Sequence, residues 1–204
     1  MTTCVNGKTQ TSFDKDHSFF SFPEIFGNDH PVEVEIGCGK GIFLGSLARQ
    51  FPEINFVGVD RGERWMWRGR LYQPVDTLRN LKFLKFYAWE FLERYLAEES
   101  TDCFHIYFPD PWPKRRHWKR RLVGADFLRL LHSRLKPEGL VQIATDDFPY
   151  FTQIREAISA TDPCWGSMRE SVNKRLVYET VKTHYELKYE NRGKSIYYLE
   201  LQKR

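Results

Sequence analysis

The stretch V32-E-V-E-I-G-C-G-K-G41 decides how this chain folds. A short apolar run, Val32 to Ile36, breaks into three alternating glycines, Gly37, Gly39 and Gly41. Lys40 to Gln50 then carries apolar residues at helical spacing (Ile42, Phe43, Leu47), with Pro52 close behind. Strand, glycine turn, helix is the opening of a βα unit. Three alternating glycines exceed what a bare turn requires and predict a backbone that approaches a ligand without a Cβ in the way. The dinucleotide fingerprint G-x-G-x-x-G is not met, because Ile42 stands where its third glycine belongs, and the phosphate loop G-x-x-x-x-G-K-[ST] is absent.

Downstream of this unit the same rhythm repeats. Strands are predicted at Asn55–Val59, Leu81–Phe86, Cys103–Phe108 and Leu140–Ala144, the last entered through the turn Lys136-Pro-Glu-Gly139. Helices are predicted at Glu63–Tyr72, Trp89–Leu96, Ala125–Leu135 and Phe148–Ser159, and further strand-like runs at Leu176–Val181 and Ile196–Leu201. Strands separated by helices argue for a doubly wound α/β domain: a mostly parallel sheet with helices on both faces and the last two runs as an antiparallel edge. Residues 1–31, polar and then rich in phenylalanine (Phe13, Phe19, Phe20, Phe22, Phe26), read as an arm packed on a single domain spanning 32–204.

A length of 204 residues suits one domain with a real core, and no apolar run approaches the roughly 20 residues that cross a bilayer. No secretory signal is seen, and Cys4, Cys38, Cys103 and Cys164 form no Cys-x-x-Cys pair. A reducing, cytoplasmic setting without disulfide framework, metal site or membrane is therefore expected. The net charge is +4, but Lys114–Arg121 (KRRHWKRR) is six-eighths basic, so the rest of the chain is net −2. Positive potential concentrated in one segment suits a polyanion.

Ligands of such sheets bind at the carboxyl ends of the strands. There Glu35 would repel a pyrophosphate but favour a sulfonium or ammonium group, and Asp60 can accept both hydroxyls of a ribose. Together they fit S-adenosylmethionine, a cation with a ribose and no phosphate. The segment resembles the first cofactor motif of class I methyltransferases, E-x-G-x-G-x-G.

The fourth strand runs into F108-P-D-P-W-P-K-R-R-H-W-K-R-R-L122. Prolines on both sides of Asp110 stiffen the backbone that carries its carboxylate. Trp112, His117 and Trp118 are interleaved with the cations, so rings could stack on splayed bases while Arg116, Lys119, Arg120 and Arg121 neutralise phosphates. This stretch resembles the signature of the bacterial tRNA (guanine-N7-)-methyltransferases, P-D-P-W-P-K followed by R-H-x-K-R-R. The resemblance runs from Val32 to Leu201 and includes Thr145-Asp146 and T183-H-Y-E-L-K-Y189.

The family implies a Rossmann-like fold and methyl transfer from S-adenosylmethionine to guanine N7, in the variable loop of tRNA. By position, Glu35, Gly37, Gly39 and Asp60 would hold the cofactor, and Asp110 would sit where cofactor and guanine meet. Lys114, Asp146, Thr183, His184, Tyr185 and Glu186 would contact the substrate, and Arg116 to Arg121 the RNA. Where the family usually has Asp or Asn before an alanine, Tyr87 stands before Ala88; either Tyr87 stacks on the adenine or a backbone amide holds it. Two alternatives remain at the level of sequence: methylation of an exocyclic amine, and a non-catalytic RNA-binding protein on a nucleotide fold. His105 is expected as a packed core residue, Asp126 and Asp147 as structural or solvated. A monomer and a homodimer are equally expected.

Overall fold

The computed structural model describes residues 2–5, 8–11, 19–62 and 77–204. The helix expected over Glu63–Tyr72 lies outside the described residues, as do parts of the N-terminal segment, Phe13 included.

The strands are β1 (Thr2–Val5), β2 (Lys8–Thr11), β3 (Val32–Ile36), β4 (Asn55–Asp60), β5 (Leu81–Lys85), β6 (Thr101–Tyr107), β7 (Leu135–Thr145), β8 (Trp165–Val172) and β9 (Tyr197–Lys203). They form one sheet in the order β2-β1-β5-β4-β3-β6-β7-β9-β8. The five central strands run parallel, and β9 and β8 add an antiparallel edge. Strand order reverses on either side of β3, which places the switch point beside the glycine turn.

The helices are α1 (Phe22–Phe26), α2 (Ile42–Gln50), α3 (Ala88–Glu90, continued by a π-helical turn over Phe91–Tyr95), α4 (Ala125–Arg134), α5 (Phe148–Ser159) and α6 (His184–Glu190). Side chains alternate across a strand, so β3 sends Val32, Val34 and Ile36 to one face and Glu33 and Glu35 to the other. On the first face Phe91, Leu92, Phe127, Leu128, Leu131, Tyr150 and Ile154 pack on the sheet as one core. Phe20 and Phe22 join that core, and the Phe20 N–H donates to Tyr95 O at 2.7 Å. On the second face α2 lays Phe43, Leu44 and Leu47 over Phe56, Phe83 and Tyr107.

Two expectations need correction. Leu176–Val181 is not a strand; it is a loop before α6, and β9 pairs with β7 on one side and with β8 on the other. The stretch Lys136–Gly139 does not precede the strand but lies within β7, where the register shifts opposite Thr101–Cys103.

Candidate active site at the carboxyl ends of the parallel strands

The glycine turn closes between β3 and α2 by hydrogen bonds from the Gly37 N–H to Val59 O (2.7 Å) and the Gly41 N–H to Cys38 O (2.8 Å). Gly37, Gly39 and Gly41 all have positive φ. At Gly41 the requirement is double: φ is 65°, and a Cβ would meet the Phe83 ring at 2.3 Å. A Cβ at Gly37 or Gly39 would instead project into open space. The turn is therefore tight on its protein side and vacant on its outer side, as a ligand cradle must be.

Asp60 ends β4 beside this cradle. Its Oδ2 accepts from the Gly39 N–H at 3.0 Å and its Oδ1 from the Gly62 N–H at 2.7 Å. Two carboxylate oxygens offer about four lone-pair sites, so capacity remains for ribose hydroxyls. Glu35 is 5% exposed, and its Oε2 has no hydrogen-bond partner. Burial, reinforced by Asp60 and Glu186 and opposed by Arg175, pushes its carboxyl up to about 8. An orphaned buried acceptor below an open cradle fits the cationic end of S-adenosylmethionine. Tyr87, just after β5, is 63% exposed, which leaves its ring free to cover a flat base.

After β6 the backbone turns through Phe108 (φ 52°) and Trp112 (φ 45°), both left-handed and neither a glycine. Each such residue costs on the order of 1–3 kcal/mol. They bracket Pro109-Asp110-Pro111 and hold the exposed Asp110 at the sheet end. Phe108 also packs its ring, tilted, against Tyr185 (5.7 Å between centroids) and Tyr189 (5.4 Å), which joins the loop to α6. After β7, Asp146 accepts from Lys194 Nζ at 2.7 Å. The next residue, Asp147, caps α5 through the Tyr150 N–H at 2.8 Å, a structural role as expected.

The basic block forms a 3₁₀ helix over Arg115–Arg120. Lys114, Arg115, Arg116, Lys119 and Arg120 are exposed, while His117 and Trp118 are half-buried. Arg120 lies over the Trp112 ring at 5.1 Å and Arg115 over Trp118 at 5.5 Å. Arg121 departs from this pattern. It is buried, donating to Pro111 O and Gln153 Oε1 at 2.7 Å each, with Asp147 at 3.5 Å. It braces the loop, and its guanidinium faces inward.

Thr183 and Glu186 also turn inward. Thr183 caps α6 by accepting from the Glu186 N–H, and Glu186 accepts in return from the Thr183 N–H, a capping box. His184 and Tyr185 stay exposed beside them. Glu186 is gripped by Arg175 through two bonds of 2.8 and 2.9 Å and by Tyr198 OH at 2.8 Å. Burial raises the Glu186 carboxyl, but these partners outweigh it and hold it below the usual range. The sequence reading missed Arg175, whose partners lie 11 and 68 residues away.

His105 is fully buried, as expected of a core residue, between Glu33 Oε2 (2.7 Å) and Tyr107 OH (2.9 Å). With Cys103 and Glu33 it brings three metal-capable donors within 4.8 Å, a grouping across two strands that spacing along the chain cannot reveal. Both His105 nitrogens and both Glu33 oxygens already have partners, Tyr178 OH being the last at 2.7 Å. His105 and Glu33 are thus already engaged in a hydrogen-bond network with Tyr107 and Tyr178, which Cys103 does not join.

A family model described as "Putative methyltransferase" matches residues 29–199. The tRNA (guanine-N(7)-)-methyltransferase of Rubrobacter xylanophilus is 35% identical over 183 residues, covering 89% of this chain and 80% of that protein. The enzyme of the same name from Enterococcus faecalis is 34% identical, covering 87% and 82%. Among solved structures, the 16S rRNA methyltransferase KamB aligns over the full length of both chains with a TM-score of 0.67 at 16% identity. A 16S rRNA (adenine(1408)-N(1))-methyltransferase from Catenulisporales acidiphilia, solved with the cosubstrate SAM, gives 0.60 at 18% identity over 100% and 97% of the two chains. At that identity the likeness speaks to the fold alone. One third of residues shared across four-fifths of each curated relative is a stronger relation, and on it this chain belongs to the tRNA (guanine-N(7)-)-methyltransferase family.

Proposed function

We propose that this protein transfers a methyl group from S-adenosylmethionine to N7 of a guanine in tRNA. The observation that carries the reading is Glu35, a buried carboxylate with an unpartnered oxygen beneath an open glycine cradle, in a chain of this family. Glu35 and the remaining lone pairs of Asp60 would hold the cofactor's cationic end and its ribose, with Tyr87 over the adenine. When bound, S-adenosylmethionine supplies an electrophilic methyl group on a positively charged sulfur.

Guanine N7 has an in-plane lone pair and loses no proton before attack, so the chain needs no strong general base. Its task is alignment, an effect that can supply roughly 7–11 kcal/mol. Asp110 and Asp146 lie at the ends of adjacent parallel strands. Each can accept from guanine N1–H or the exocyclic amine and so orient the base. Their fixed negative charge also favours the positive charge that develops on the purine. His184 and Tyr185 would border the base, and Lys114, Arg116, His117, Trp118, Lys119 and Arg120 would meet RNA phosphates and bases. The guanine is read as one in the variable loop, on the family resemblance.

A cytoplasmic setting goes with this reading. Cys38, Cys103 and Cys164 are free thiols, and no helix among the described residues is long and apolar enough to cross a membrane. The test is incubation of the protein with labelled S-adenosylmethionine and unmodified tRNA, followed by nucleoside analysis. Labelled 7-methylguanosine is expected. Methylated adenosine would instead favour the exocyclic-amine chemistry, and RNA binding without label transfer would favour a non-catalytic protein.

A further inference from the structure

Arg175 stands in the loop between β8 and α6 and is 6% exposed. Its Nε and one terminal nitrogen grip both oxygens of Glu186, at 2.8 and 2.9 Å, and the other terminal nitrogen reaches Tyr107 OH at 3.3 Å. Its guanidinium plane covers the rings of Tyr107 (4.4 Å) and Phe43 (4.7 Å). Those contacts belong to three separate parts of the site. Phe43 is in the first turn of α2, directly after the glycine cradle. Tyr107 is the last residue of β6, directly before the Asp110 loop. Glu186 closes the capping box of α6, whose Tyr185 packs on Phe108.

We infer that Arg175 is a positioning residue that couples the cofactor carboxylate Glu35 to the RNA-facing helix α6. The inference rests on the methyltransferase reading above. Glu35 lies opposite His105 in the β3–β6 register, and His105 bonds Tyr107, whose ring Arg175 covers. The charged and titratable groups that act on Glu35 are Asp60 from β4, Cys38 from the cradle, Tyr107 from β6, Glu186 from α6 and Arg175 itself. Asp60 and Glu186 favour its protonated form, whereas Arg175 favours the carboxylate. A protonated Glu35 offers no charge to a cationic ligand. The same guanidinium fixes the cap of α6 by a two-point fork that a lysine cannot reproduce. One side chain thereby sets the charge under the cofactor and the orientation of the substrate helix.

The two roles separate in two variants of the full chain. Arg175→Met removes both charge and fork; Arg175→Lys keeps the charge and loses the fork. For each, S-adenosylmethionine affinity is measured by calorimetry from pH 6 to 9.5. The single-turnover methylation rate on unmodified tRNA is measured with both substrates saturating. Titration of the ligand's own amine is common to all variants, so differences between them report on the protein. In the parent, affinity should rise with pH and level off above about 8, as Glu35 ionises. Arg175→Met should lose at least about tenfold affinity at pH 7 and level off at a higher pH. Arg175→Lys should keep the parental profile within about threefold yet lose at least about tenfold in rate.

A parental pH profile in Arg175→Met overturns the coupling to Glu35, and a parental rate in Arg175→Lys overturns the coupling to α6. If Arg175→Met does not fold, the pair Arg175→Lys and Glu186→Gln decides. Both break the same fork, and a parental rate in either overturns the inference. A parent that makes no methylguanosine defeats the methyltransferase reading instead, which is a different result.

Discussion

Asp60 ties the glycine cradle to the end of its own strand: its Oδ2 accepts from the Gly39 N–H at 3.0 Å, 21 residues back along the chain. The residue expected to bind the ribose thus also fixes the loop that receives the rest of the ligand. Asp60→Ala should weaken S-adenosylmethionine binding by about 1–3 kcal/mol, the cost of losing charge-assisted hydrogen bonds. RNA affinity should change little. Titration calorimetry on the folded variant checks this, and unchanged affinity would remove Asp60 from the cofactor site.

The Glu35 carboxyl makes stability depend on pH in a direction opposite to that of most carboxylates. Its ordinary value is 4.5, and burial pushes it up to about 8 in the folded chain. Its contribution to stability is therefore fully present below about 4.5 and is lost as pH rises through 8. Glu35→Gln is neutral throughout and escapes that loss. Between pH 5 and 8.5 the parent should fall relative to Glu35→Gln by on the order of 2–4 kcal/mol without ligand. Urea midpoints of both proteins at the two pH values measure it. Parallel curves would place the Glu35 titration elsewhere.

Much of this site was legible in the sequence because its parts sit at strand ends that announce themselves. Val32–Ile36 and its glycines, Asp60 and the Pro109–Pro111 loop each carry a local signal. What escaped has nonlocal causes. β8 was missed because Gly166–Val172 lies at an exposed edge, with only Trp165 buried, so its residues are mostly polar. Leu176–Val181 imitated a strand because it is apolar, yet Val181 plugs the second core and Tyr178 bonds Glu33. A finer signal was available in β3: two glutamates at alternate positions of an otherwise apolar strand must share one face, and buried acids need polar partners or a ligand. Nothing in the sequence near Arg175 identifies it as the partner of Glu186, 11 residues on.

Arg121 and its exposed neighbours should behave differently although all belong to one basic run. Changing Arg116, Lys119 and Arg120 to Ala should lower the slope of log RNA affinity against log salt by roughly 2–3 units, about one for each phosphate no longer neutralised. Cofactor affinity should not change. Arg121→Ala should leave that slope nearly intact but destabilise the fold by about 2–4 kcal/mol, because it empties a buried, fully bonded site. Binding at several salt concentrations and thermal melts separate the two. A triple variant with the parental slope would show the exposed cations to be a solvated face.

Asp110 tests the chemical step itself. Left-handed backbone at Phe108 and Trp112 and the two flanking prolines hold its exposed carboxylate at the end of β6. Strain of that kind persists only where the surroundings over-determine it, and here it fixes one carboxylate. Asn is nearly isosteric and keeps one acceptor, but it loses the charge and presents two donors to guanine's own donors. Asp110→Asn should fold normally, since the side chain is exposed, and should still bind RNA, since phosphate contacts dominate affinity. Single-turnover methyl transfer with both substrates saturating should fall at least about a hundredfold, comparable to losing one preorganised electrostatic group. Saturation matters, because it removes weaker binding as an explanation and leaves orientation and charge. A folded variant that transfers at a near-parental rate would take Asp110 out of the chemical step and leave Asp146 as the carboxylate that orients the base.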